Sequence, residues 1–358
     1  MKRIITLCAF AAMLTPVARA QVSVTATGGT PGPTTYTNLT NAFAAINGGT
    51  HTGSITVQIT ASFSEAVTAS LNASGSGSAS YTAVVIKPAA ATTPTITNTA
   101  DNTASIKLNG ADNVTIDGSN NGTTSRDLIF VNSNSSGSGA ACNIWLASNG
   151  TDGASNNVVK NCQILGSNGL GAAYMGVGVY SSSATLTGYW LATSVTTGAN
   201  SNNLVQNNLF NSTNAAVVFN GGAGIGETGN QVVGNQLGDI TSATNRKFTN
   251  AGIFMLNQAN FTISLNNITW FSSTNTNVVP GGISIGAGCT NGTISRNKIS
   301  GLRFTTAVLQ GGIVLNASAT ANVSVYNNFI SDVASNGSST TPASNAYGIT
   351  INGGSGYN

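Results

Sequence analysis

Asn260-Phe261-Thr262-Ile263-Ser264-Leu265-Asn266-Asn267-Ile268 is followed 31 residues later by Asn291-Gly292-Thr293-Ile294-Ser295-Arg296-Asn297-Lys298-Ile299. After another 31 comes Asn322-Val323-Ser324-Val325-Tyr326-Asn327-Asn328-Phe329-Ile330, and one period earlier Val232, Asn235 and Leu237 keep the same spacing. A second strand unit alternates with these blocks: Gly252-Ile253-Phe254-Met255, Gly282-Ile283-Ser284-Ile285, Gly312-Ile313-Val314-Leu315 and Gly348-Ile349-Thr350-Ile351. Weaker copies run upstream through Asn207 and Leu209 and through Val159 and Ile164, with an insertion near 181–200, back to Asn113-Val114-Thr115-Ile116.

A unit of about 31 residues built from strands of three to five residues cannot bury its own apolar face, so neighbouring units must stack. No Leu framework and no four-strand blade are present, which excludes a leucine-rich repeat and a propeller. What is left is a solenoid in which each strand pairs in parallel with its counterpart one coil on, about 4.8 Å away. Asn suits such a coil because it tolerates the left-handed backbone at a sharp corner, and its amide can bond to the Asn above and below.

On these residues the chain resembles the right-handed parallel β-helix family, the pectate-lyase-like superfold, in which the bend between the second and third strands often carries an Asn ladder. The matching positions are Asn235, Asn266, Asn297 and Asn328, with Cys162 where an earlier coil would place its Asn. The resemblance spans roughly residues 50–358. It implies an all-β solenoid, and it leaves function open, because this fold carries lyases, hydrolases, esterases, adhesins and structural proteins.

Composition agrees. The 358 residues include 43 Gly and 46 Asn, and only 6% are charged. That excludes a basic nucleic-acid binder and a solvated acidic tail. Lys2 and Arg3, the apolar run Ile4 to Leu14 and Ala18-Arg19-Ala20 read as a signal peptide cleaved between Ala20 and Gln21. Cleavage leaves nine basic against nine acidic residues, and no further anchor is expected in this segment. The expected destination is extracellular space or the cell surface.

Three segments follow: a signal peptide at 1–20, a cap with irregular first coils at 21–100, and β-helix coils at 101–358. Leu39, Ala42, Phe43 and Ile46 have helical spacing, with Asn38 as N-cap and Gly48 just past the end, and predict a capping helix. Strands are expected at about 54–60, 82–87 and 94–98, with the first regular coil at Ser105 to Leu108. At the other end the sequence stops where the next strand would open, so further coils are expected beyond Asn358.

The resemblance implies polysaccharide chemistry along a groove beside the Gly-Ile-x-Ile strand. Alternation turns the middle residue outward there. The stripe so derived is Trp145, Gly178, Val218, Phe254, Ser284, Val314 and Thr350, with no useful titrating group. Glycoside hydrolysis needs a carboxylate pair, and β-elimination needs a base with a cation held by acids. The acidic cluster available is Asp112, Asp117, Arg126 and Asp127, near Lys107; Asp-Gly and Asp-Asn corners bonding their own backbone are the favoured explanation of it. Asp239 and Asp332 share a coil position, but Trp270 and Gly301 interrupt it. No cofactor or metal is expected; Ca²⁺ would find acids but no binding motif. Arg296, Lys298 and Arg303 read as solvated turn residues, and His51 as a turn residue.

Trp145, Tyr180 and Phe254 are the candidates for stacking on sugar rings, unless insertions such as 181–200 cover them. Cys142, Cys162 and Cys289 fit buried thiols, with a Cys142–Cys162 bridge left open. The expected function is a secreted structural or adhesin-like module whose partners are polysaccharide or envelope glycans. The alternative is a polysaccharide lyase or glycoside hydrolase whose active site lies within 101–160 or in further coils.

Overall fold

The computed structural model describes residues 20–100, 102–133, 140–166, 175–183, 185, 197–238, 251–273, 281–304, 310–317, 320–335 and 345–358. Nearly all of the expected leader, most of the 181–200 insertion and Asp239 lie outside these residues. Among them the helix Leu39–Asn47 stands against strands almost everywhere else.

The strands form three long sheets that the chain visits in turn. Sheet I has eleven strands, the last Ser324–Tyr326; sheet II has nine, from Phe63–Glu65 to Phe329–Ser335; sheet III has nine, from Ala69–Asn72 to Ala346–Gly353. Among the described residues only the start is antiparallel, where Val22–Gly29 pairs with Thr34–Tyr36 and His51–Ile59. From His51–Ile59 onward each strand pairs in parallel with its counterpart one coil later. The chain is therefore a parallel β-helix, of the right-handed kind that parallel crossovers adopt. Stacking runs unbroken across residue 101.

The helix closes the first coil as its sequence requires. Leu39, Ala42, Phe43 and Ile46 are all buried, and Asn38 Oδ1 accepts from the Asn41 amide at 3.0 Å. Glu65 adds a second cap from sheet II. Its carboxyl oxygens accept from the Leu39 and Thr40 amides at 2.8 and 3.1 Å and from Thr40 Oγ1 at 2.7 Å, satisfying N–H groups that the helix leaves free at its N-terminus.

The corner from sheet I to sheet II carries the Asn ladder. Asn235, Asn266 and Asn297 each donate the backbone N–H and the side-chain Nδ2 to Oδ1 of the next Asn, at 2.9–3.0 Å. Asn208 extends the ladder one rung upstream, and the Cys162 amide donates to Asn208 Oδ1 at 2.9 Å. The expected division of labour needs one correction. The left-handed backbone belongs to the preceding residue, Gly234, Leu265, Arg296 or Asn327, with φ of 54–67°. The ladder Asn itself points inward, because only there can its amide reach both neighbours.

A second inward ladder, not anticipated, lines the corner from sheet III to sheet I. Val114, Asn157 and Asn203 donate backbone N–H groups to Oδ1 of Asn157, Asn203 and Asn230 at 2.9–3.0 Å. Asn260, Asn291 and Asn322 take the left-handed turn at this corner, with φ of 49–53°. Between the ladders run fully buried columns such as Ile144, Val179, Val217, Ile253, Ile283 and Ile313. Each such side chain contributes about 1.5–3 kcal/mol by leaving water.

Candidate functional site

Register along sheet III fixes the outward row that alternation had outlined. It runs Ser70, Lys107, Trp145, Tyr180, Val218, Phe254, Ser284, Val314, Thr350. Gly178 is not in this row; Tyr180 holds its place. The reason is steric. Gly178, like Gly252 and Gly312, lies on the inner side of the strand, and a Cβ at Gly178 would come 2.6 Å from a ring carbon of Phe210. The row also contains an ionisable group, Lys107, against the expectation of none.

Nor does the stripe face solvent. Trp145, Tyr180 and Phe254 are 4%, 0% and 7% exposed. With Ala104, Cys142, Ala147, Val177, Ala215, Val218 and Ala251 they form a second apolar cluster, separate from the main core. Trp145 Nε1 donates to Ser182 Oγ at 2.9 Å, and the Lys107 ammonium sits 4.3 Å from the Trp145 ring centroid, a cation–π contact. Burial lowers the pKa of Lys107 and pushes the Cys142 thiol far up. None of the three aromatic rings offers an open face for a sugar.

The acidic candidates separate into two corners. Asp112 precedes the strand Val114–Asp117 and Asp117 ends it, so they do not share a site. Asp112 Oδ1 accepts from the Ser155 amide at 2.6 Å, and burial raises its pKa. Asp117 pairs with Lys160 at 3.2 Å and accepts from the Ser119 amide and Asn161 Nδ2. Asp127 accepts from Ser125 Oγ at 2.6 Å and the Asn120 amide at 3.0 Å. Arg126 reaches along the solenoid axis instead. Its Nε and Nη2 donate to the carbonyl and Oδ1 of Asn207 at 2.8 and 2.7 Å, and Nη1 reaches Gln236 Oε1 at 3.4 Å. These bonds fasten the insertion between residues 118 and 127 as a strap over the ladder corner.

Among the described residues no three His, Cys, Asp or Glu side chains are grouped to hold a metal ion. Asp332 forms a bidentate pair with Arg303 at 2.8 and 2.9 Å, exposed to solvent. Cys142, Cys162 and Cys289 are free and buried. His51 is not a turn residue: it opens the strand His51–Ile59, fully buried, with ring nitrogens 2.7 Å from Tyr36 Oη and from the Thr30 carbonyl.

Two buried acids escaped the sequence reading, Glu65 at the capping helix and Glu227. Glu227 accepts from the Asn200 amide at 3.2 Å and from Gln258 Nε2 at 2.5 Å, in a two-stranded ladder with Gln258 at the corner from sheet III to sheet I. Burial pushes its carboxyl up to about 7. The signal for it was its place 31 residues before Gln258, one repeat period, in a column otherwise free of charge.

Neither a protein-family model nor a curated protein sequence matches this chain. Among solved structures it is similar to the catalytic domain of a GH87 alpha-1,3-glucanase in complex with tetrasaccharides. The identity is 13%, over 90% of this chain and 67% of that one, with a TM-score of 0.32. A likeness of that size speaks for neither chemistry nor partner.

Among the described residues no helix is long and apolar enough to cross a membrane.

Proposed function

We propose that this chain is a secreted or cell-surface structural module, adhesin-like, which presents its solenoid flank to polysaccharide or envelope glycans. The observation that carries the reading is the outward row of sheet III. Where the superfold leads one to look for reacting groups, the middle of that row is a packed apolar cluster built around Trp145, Tyr180 and Phe254. Lys107, the charged residue of the row, lies over the Trp145 ring, and Asp112, Asp117, Arg126 and Lys160 are bound up in holding loops and coils together.

The test incubates the chain with uronans, glucans and other polysaccharides while unsaturated products and reducing ends are followed. The expected result is binding or no effect without turnover. Turnover lost in Asp117→Ala or Asp127→Ala would replace this reading with the enzymatic one. Binding by glycan array that survives both substitutions supports the flank as the contact surface.

A further inference from the structure

The inner side of sheet III changes character along the solenoid. In later coils the position before the first buried aliphatic is Gly178, Ala216, Gly252, Gly282 and Gly312, and sheet II packs directly against it. A Cβ at Gly312 would meet Ile330 Cγ2 at 2.6 Å, and one at Gly282 would meet Ile299 Cγ2 at 3.0 Å. In the two earlier coils the same position holds Ser105 and Asn143, which are neighbours in register, both 0% exposed. The wedge between sheets II and III is therefore wide enough there for polar side chains.

Three polar atoms in this wedge have no protein partner: Asn98 Nδ2, Ser105 Oγ and Asn143 Oδ1. The amide orientations are fixed by their other ends. Asn98 Oδ1 accepts from the Ala100 amide at 3.2 Å and from Thr103 Oγ1 at 2.8 Å, so Nδ2 is the end left over. Asn143 Nδ2 donates to the Leu165 carbonyl at 3.4 Å, so Oδ1 is left over. Asn98 ends the sheet II strand of the coil whose sheet III strand carries Ser105, and Asn143 stands beside Ser105 one coil further on, so the three lie at the corner from sheet II to sheet III.

The geometry points to an internal water-binding site at this corner, formed by Asn98, Ser105 and Asn143. The donor and acceptor senses match one water: it accepts from Asn98 Nδ2, donates to Asn143 Oδ1 and exchanges a bond with Ser105 Oγ. Buried waters ordinarily make about three such bonds. A buried amide end left unpaired is costly, and a bound water removes that cost. A cation is disfavoured because the Asn98 amino group turns its hydrogens inward.

The experiment is a crystal structure of the chain at about 1.5 Å, with ¹⁷O relaxation dispersion counting long-lived waters in the wild type and in Asn143→Leu. The expected result is a water peak within about 2.7–3.2 Å of all three atoms, and a loss of one long-lived water in Asn143→Leu. The proposal is overturned if the three atoms bond directly to other protein groups with no peak between them. A peak with metal–oxygen distances near about 2.4 Å overturns it equally. The wild-type structure decides alone if Asn143→Leu does not fold.

Discussion

Each ladder Asn supports more than itself. Asn266 Oδ1 takes the backbone N–H and Nδ2 of Asn235, while its own Nδ2 serves the Val232 carbonyl and Asn297 Oδ1. Asn266→Ala leaves several buried groups unpaired and is expected to cost about 3 kcal/mol or more in urea unfolding. Asn328→Ala, at a half-buried rung, is expected to cost less than half as much; equal losses would mean that the ladder bonds do not set the cost. The residue before the rung is a different matter. Leu265 is half-exposed and sits at φ 60°, a backbone that is unfavourable for any side chain with a Cβ. Leu265→Gly is expected to raise stability by up to about 1 kcal/mol, the relief of strain outweighing the extra freedom of the unfolded chain. The period of 31 made the ladder column legible, but not this split of roles, because Gly234, Leu265, Arg296 and Asn327 share a backbone conformation and no chemical signature.

At the scale of elements, the strap between residues 118 and 127 is the feature that composition hid. Asp112, Asp117, Arg126 and Asp127 looked like one cluster because they are close in sequence. The coil sends Asp112 to one corner and the rest to another, and turns Arg126 toward coils 81 and 110 residues further on. Arg126→Ala is expected to cost about 2 kcal/mol, the worth of bonds to a charged group, and to open the strap to limited proteolysis between 118 and 127. Arg126→Lys should not restore protection, since a single ammonium cannot serve Asn207 and Gln236 together. Unchanged cleavage in Arg126→Ala would show that the serine and Asp127 bonds hold the strap unaided. The helix and the sheet III strands were legible from spacing and alternation, which report which side of an element is apolar. Alternation could not show that the outer side of sheet III is buried as well, because Trp145, Tyr180 and Phe254 suit a sugar platform and a second core equally.

For the molecule as a whole, low charge has a consequence for pH. The carboxyl groups whose affinity for protons is clearly shifted, Glu65, Asp112 and Glu227, all move upward, and burial is the leading cause in each. Glu227 goes furthest, to about 7 from an ordinary value of 4.5, with the neutral Gln258 side chain and the Asn200 backbone N–H beside it. An acid whose folded value lies above its unfolded value binds more protons in the folded state. Its favourable contribution is complete below about pH 4.5, is lost as pH rises toward about 7, and stays lost above. For Glu227 that is about 3 kcal/mol, with smaller contributions of the same sign from Glu65 and Asp112. Stability measured by urea unfolding should therefore rise as pH is lowered from 8 to about 5, opposite to a protein held by ion-paired carboxylates. Glu227→Gln should flatten most of that slope, whatever its effect on absolute stability, because Gln has no proton to gain. A wild-type profile that falls on acidification, or a Glu227→Gln profile as steep as the wild type's, would mean that the buried carboxyl is ionised in the folded chain and held by the Asn200 and Gln258 N–H groups.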